Sequence, residues 1–273
     1  MYDKLYIDLL KKVLVDYFRI EYGEYKPVVF ENPTLKMKVV EAIGNVLRKR
    51  NYEICNLVKF DKEKRMVGGD WPSYAETMIG MKRLENIEYC FEQIVKDNVA
   101  GDLIETGVWR GGAVIFMKAL LKSAGINDRV VWVADSFDGL PAPDEENYPA
   151  DKNDSHFTMR ELAITQQQVK KNFEKYDLFD ENVKFLKGWF KDTLPTAPIT
   201  NLALLRLDGD MYESTMDGLN NLYHKVSKGG FIIVDDWGAV PGCQAAVNDY
   251  RAKHGITDEI KTIDWTGVYW RKS

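Results

Sequence analysis

The stretch "GDLIETGVWRGGAVIFMKALLK", residues 101–122, decides the fold. Its first part, "DLIET", is a short apolar run closing in an acid, Glu105, and it breaks at glycines 107, 111 and 112. Glycine permits left-handed backbone and close approach, so the break reads as a tight turn. The apolar, helix-forming "GAVIFMKALLK" then follows, a strand–turn–helix unit. The same alternation continues downstream. Strand-like runs lie at 129–135, 182–188, 202–208 and 231–236, with helical segments such as "ESTMDGLNNLYHKV" and "GCQAAVNDYRAKHG" after the last two. Continuous apolar strands separated by helices predict a parallel sheet covered on both faces. The end, "EIKTIDWTGVYWRKS", instead gives two strand-like runs meeting at Thr266-Gly267, a hairpin. The predicted class is therefore α/β, mostly parallel, with a C-terminal antiparallel hairpin.

Before residue 101 the chain reads as helical and irregular. "DKLYIDLLKKVLVDYF" places Leu5, Leu9, Val13 and Phe18 near one face, and 68–98 opens with turn residues and becomes a long helix. Residues 50–67 fit helix and strand equally. The predicted division is a helical extension and cover over 1–100 and a ligand-binding domain over 101–273. Residues 140–165 form a long polar insertion of the kind that serves as a lid.

The 273 residues include 37 basic and 42 acidic side chains, a net charge of −5 without a basic stripe, so nucleic acid is not the expected partner. No apolar run reaches the roughly 18 residues of a membrane span. Cys55, Cys90 and Cys243 are too few and too scattered for a disulfide framework or a zinc site, and a soluble cytoplasmic protein is expected.

In open α/β sheets ligands collect beyond the carboxyl ends of the strands. After the first strand the glycines do not form G-x-G-x-x-G, and no G-K-[ST] follows. Glu105 would repel a phosphate and suits an ammonium group; the plain alternative is a solvated acid at a helix entry. Asp135, 30 residues on, stands where βαβ units hold a ribose diol, although a turn or cap aspartate reads the same way. Together they specify a nucleoside-like ligand without an essential phosphate. Two further strands end in paired acids, Asp208 with Asp210 and Asp235 with Asp236. Clustered like charges raise one another's pKa unless something positive intervenes, and a metal ion is the simplest candidate.

"YAETMIGMKRLENIEYC", "GDLIETGVWRGGAVIFMKALLK", "VWVADSFDGLP", "GWFKDTLPTAP", "LLRLDGDMYESTMDGL" and "GGFIIVDDWG" occur in this order. Together they resemble the macrocin O-methyltransferase family, enzymes that methylate sugar hydroxyls of macrolide and aminocoumarin antibiotics. The likeness runs from about residue 70 to the closing "GVYWRK". It implies a Rossmann-like class I methyltransferase sheet and S-adenosyl-L-methionine as cofactor. By that resemblance Glu105, Thr106, Gly107, Arg110 and Gly111 hold the methionine moiety. Asp135 and Ser136 hold the ribose, and Gly188, Trp189 and Asp192 border the adenine. Met78 and Met81 cover the cofactor and Arg83 reaches its carboxylate, although methionines at helical spacing are also ordinary core.

Asp208, Asp235 and Asp236 are then expected to hold Mg²⁺, a hard cation that prefers carboxylate oxygen. Asp208 is favoured as a ligand that also takes the hydroxyl proton, with Asp210 orienting the site, although the residues alone do not separate them; Asp235-Asp236 could instead cap a helix and Asp210 sit in an Asx turn. His156, in the insertion, is either a substrate contact or a solvated side chain. His224 and His254 read as structural, and Lys191 and Arg206 carry no evident role. The expected reaction is Mg²⁺-dependent methyl transfer to a hydroxyl of a glycosylated or polyol small molecule. The alternatives are a catechol-type enzyme acting on an aromatic diol and a non-catalytic nucleoside-binding module. The apolar N-terminal helices also offer surface for a homo-oligomer.

Overall fold

The computed structural model describes residues 2–28 and 34–273. The N-terminal part contains α1 (Lys4–Leu14), β1 (Glu24–Pro27), α2 (Leu35–Arg48), β2 (Cys55–Val58), α3 (Lys62–Met66) and α4 (Gly80–Lys96). Strand β3 (Asp102–Thr106), helix α5 (Gly112–Ser123), strand β4 (Val131–Asp135), helix α6 (Gln166–Lys175) and strand β5 (Val183–Lys187) follow. Then come α7 (Phe190–Thr193), β6 (Leu202–Leu207), α8 (Tyr212–Leu222), β7 (Val226–Val234), α9 (Pro241–Lys253), β8 (Lys261–Thr262) and β9 (Val268–Arg271).

The main sheet runs β5-β4-β3-β6-β7-β9-β8. The first five of these are mutually parallel, while β9 pairs antiparallel with β7 and with β8. The order reverses direction between β3 and β6, so the carboxyl ends of these strands open a crevice at a topological switch point. Alternation along the strands divides the core: Leu103, Val133 and Leu204 pack with α1, α4 and α5, whereas Ile104, Ala134 and Leu205 pack with α8 and α9. The predicted strands and hairpin are present. β7 begins five residues earlier than expected, because Val226 pairs with Leu202 before a register shift brings Phe231 opposite Leu204.

The N-terminal part differs from expectation in two ways. The ambiguous stretch resolves into a strand and a short helix, with β2 closing an antiparallel pair on β1. On α1 the buried face carries Ile7, Leu10, Lys11 and Leu14, and the predicted set faces outward, with Leu5 81% and Leu9 52% exposed. The helix is apolar on two sides, so periodicity alone did not select the core side. Among the described residues no helix is long and apolar enough to cross a membrane, and the three cysteines are free.

Candidate active site

The strand ends meet because one position has no side chain. A Cβ on Gly107, at φ +85°, would fall 1.7 Å from the Asp208 carbonyl oxygen, so only glycine lets the turn after β3 pass the end of β6. The resulting cleft encloses about 1460 Å³, its open mouth included.

The cleft is lined by Glu105, Gly107, Asp135, Ser136, Gly188 and Trp189, among others. Glu105 is 1% exposed, and one of its oxygens contacts Arg206. The other, Oε2, is buried without a hydrogen-bond partner. Burial, opposed by Arg206 and reinforced by Asp208 and Asp235, pushes this carboxyl up to about 8. Asp135 accepts hydrogen bonds from the backbone N–H of Val108 (2.8 Å) and Phe137 (2.7 Å), which fixes its orientation. Burial raises its pKa against those bonds. An orphaned buried carboxylate oxygen suits an ammonium group and an oriented carboxylate suits a diol, so these residues fit S-adenosylmethionine.

The lining also carries Asp208, Asp210, Asp235 and Asp236. Their charge is partly compensated from within the protein. Arg206, on β6 and wholly buried, contacts Glu105, Asp208 (2.6 Å) and Asp235. Its own charge is held firmly: the desolvation that would lower its pKa is overcome by these three acids. Arg83, on α4, contacts the second oxygen of Asp235 and lies 3.1 Å from Asp264 and 3.2 Å from the Val67 carbonyl. The two guanidinium groups thus contact four carboxylates, Glu105, Asp208, Asp235 and Asp264, and leave Asp210 and Asp236 without a cationic partner among the described residues.

The uncompensated charge is visible in the protonation of the acids. Burial and Asp235 push Asp208 up to about 6 even with Arg206 beside it. Burial and Asp208 push Asp210 to about 7, with His156 opposing. Burial, then Asp210 and Asp208, hold Asp236 well above the carboxylate range. Asp210 is further constrained at φ +57°, a left-handed backbone uncommon for a residue with a side chain, and its N–H donates to Asp236 at 3.1 Å. Asp208, Asp235 and Asp236 each offer an oxygen, all within 4.8 Å of one another, so the donor set fits a hard divalent cation. Asp235 is the least free of the three, since both its oxygens face guanidinium groups.

Several predicted site residues are engaged by the protein itself or lie outside the cleft lining. Arg83 lines the cleft, and its guanidinium is engaged by Asp235, Asp264 and the Val67 carbonyl. Arg110 does not line the cleft. Its Nη1 donates to the carbonyls of Ser73 (2.6 Å) and Ala75 (2.9 Å), tying down the segment that brings Thr77 and Met78 to the cleft wall. Met81 is buried in the core, so only Met78 of the pair faces the ligand space. Thr106, Gly111 and Asp192 also lie outside the lining; Gly111 caps α5 and Thr106 is the buried last residue of β3.

Sequence reasoning missed Arg206, although a signal was present: a lone arginine in the fully buried run "LALLRL" needs acidic partners. It also missed Trp109, Phe190, Asp217 and Trp265, all in the lining.

This sheet order, with acids and a glycine turn at the strand ends, defines a class I methyltransferase. Family comparison makes the assignment specific: the macrocin O-methyltransferase (TylF) model matches residues 3–272, and the chain belongs to that family. It is accordingly an O-methyltransferase. Demethyldecarbamoylnovobiocin O-methyltransferase of Streptomyces niveus is 55% identical over 215 residues, covering 78% of this chain and 82% of that protein. The 8-demethyl-8-(2,3-dimethoxy-alpha-L-rhamnosyl)-tetracenomycin-C 4'-O-methyltransferase of Streptomyces olivaceus is 45% identical over 268 residues, covering 98% and 92%. Among solved structures, the O-methyltransferase NovP superposes with a TM-score of 0.83 at 47% identity, covering 98% of each chain.

Proposed function

We propose that this enzyme transfers a methyl group from S-adenosylmethionine to a hydroxyl of a glycosylated natural product, with a divalent cation of the Mg²⁺ kind at Asp208, Asp235 and Asp236. The single observation that carries the reading is one cleft in which the orphaned carboxylate of Glu105 and the under-compensated acids lie together around Arg206. Relatives named for sugar-bearing antibiotics support the substrate class. When bound, the cofactor supplies an electrophilic methyl group and the cation acidifies a hydroxyl. Glu105 holds the ammonium end, Asp135 and Ser136 the ribose, and Trp189 packs against the base. Asp210 is the better placed proton acceptor, because Asp208 is already tied to Arg206. Residues 140–165 serve as the lid and the segment before β3 as the cover, aligning the reactants and excluding water.

Titration calorimetry with S-adenosylhomocysteine, in EDTA and again with Mg²⁺, tests this reading. Binding in both conditions, followed by Mg²⁺-stimulated turnover of demethyldecarbamoylnovobiocin or a related glycoside, supports it. No binding in either sinks it, and methylation of simple catechols in place of glycosides favours the aromatic-diol alternative.

A homodimer belongs to the same proposal. Leu35, Val39, Ile43 and Val46 form a stripe along α2, each at least 50% exposed, and the helix buries only Gly44 of its residues. An amphipathic helix is held mainly by covering its apolar face, and a second copy is the partner that closed symmetry supplies.

A further inference from the structure

The 140–165 insertion brings a polar side chain into the cleft that the scheme above leaves unused. Asp151 anchors it: its Oδ1 and Oδ2 accept the N–H groups of Tyr212 (2.6 Å) and Glu213 (3.1 Å) at the start of α8. Further along, the Trp109 indole donates to the Glu161 carbonyl at 2.9 Å. Between these two anchors lies His156. Asp154 grips it twice, accepting its backbone N–H at 2.9 Å through Oδ1 and facing its Nδ1 at 2.8 Å through Oδ2. The imidazole lines the cleft with its side chain 34% exposed, and among the described residues Nε2 makes no hydrogen bond. A histidine whose Nδ1 is held by a carboxylate presents Nε2 outward in a fixed direction.

We propose that His156, oriented by Asp154, is an acceptor-binding residue whose Nε2 hydrogen-bonds a hydroxyl adjacent to the one methylated. The inference rests on the sugar-methylation reading and narrows its substrate class to rings carrying two neighbouring hydroxyls. One hydroxyl lies at the Asp208–Asp236 end and its neighbour reaches the insertion. His156 and Asp210 line the same cleft. A hydroxyl both donates and accepts, so the contact persists whether the ring is neutral or protonated. Asp154 acts through His156 and is a positioning residue.

Two measurements test this. Methyl α-L-rhamnopyranoside, a minimal vicinal-diol probe, is titrated into ¹⁵N-histidine-labelled protein saturated with S-adenosylhomocysteine. The Nε2 resonance of His156 is expected to shift while those of His224 and His254 stay. No shift at His156 overturns the inference, whereas failure of S-adenosylhomocysteine to bind strikes the functional reading instead. Kinetically, His156→Ala should raise the KM for a turned-over glycoside about tenfold, the equivalent of one hydrogen bond, with kcat within about threefold. His156→Gln, whose amide can replace Nε2, should recover most of that loss. Asp154→Asn should weaken acceptor binding and spare S-adenosylhomocysteine affinity. A fall in kcat with KM unchanged, or equal loss in the Gln and Ala variants, overturns the assignment.

Discussion

Arg206 and Asp235 contact one another between neighbouring strands β6 and β7, both side chains at most 5% exposed. Because Arg83 occupies the second oxygen of Asp235, this aspartate joins two buried cations to the sheet. Asp235→Ala is therefore expected to damage the fold as well as the chemistry. Breaking a buried pair from one side costs about 3–5 kcal/mol, since the partner charge is stranded. Denaturant unfolding should show a loss of that order, with Asp235→Asn losing less. Wild-type stability in the Ala variant would mean that the two arginines find other partners.

Asp236 separates structure from metal more cleanly, because among the described residues its side chain contacts neither arginine and accepts only the Asp210 N–H. Asp236→Asn keeps that acceptor and removes the charge. The variant should bind S-adenosylhomocysteine normally, lose its calorimetric response to Mg²⁺, and fall roughly 100-fold or more in turnover, as expected when an ion's charge stabilisation is lost. Mg²⁺ binding as in the wild type would remove Asp236 from the ligand set.

Much of this site was legible in the chain, because strand-terminal acids and turn glycines are local features: Glu105, Gly107, Asp135, Asp208 and Asp236 all reach the cleft. The compensation was not legible, since Arg83 lies on α4, 152 residues from the Asp235 it neutralises. The outward face of α1 was misjudged for a related reason. Periodicity reports that a helix has apolar faces, and tertiary packing alone decides which is covered.

Glu105 gives a third prediction. Its Oε2 lacks a partner, and an ammonium group would provide one. Glu105→Gln retains a hydrogen-bond acceptor but loses the ion pair. Affinity for S-adenosylhomocysteine should fall about 10- to 100-fold, the scale of a charge-assisted hydrogen bond in a buried site. Unchanged affinity would show that the ammonium lies elsewhere.

The pH dependence of stability follows from the same acids. Glu105, Asp208 and Asp210, at about 8, 6 and 7, sit above their ordinary carboxyl values. The folded protein then binds more protons than the unfolded chain over this interval, so stability declines as pH rises from about 4 to 8. The ligand-free enzyme should melt several degrees lower at pH 8 than at pH 5.5, since each 1 kcal/mol moves Tm by about 2–4 °C at this size. Mg²⁺ with S-adenosylhomocysteine should close most of that gap by supplying the missing positive charge. A Tm that rises across the interval in the ligand-free protein would contradict the assigned protonation.

The last prediction concerns α2. Leu35, Val39, Ile43 and Val46 recur at intervals of four, four and three residues, the spacing of one helical face, and that face is exposed. If a second copy covers it, Val39→Glu with Ile43→Glu places charges where two apolar surfaces meet, and each buried unpaired charge costs several kcal/mol. Sedimentation should show a dimer for the wild type and a monomer for the double variant, with S-adenosylhomocysteine affinity retained because α2 contributes nothing to the cleft lining. A wild type that sediments as a monomer at micromolar concentration would leave the stripe unpaired in solution and remove the dimer from the proposed assembly.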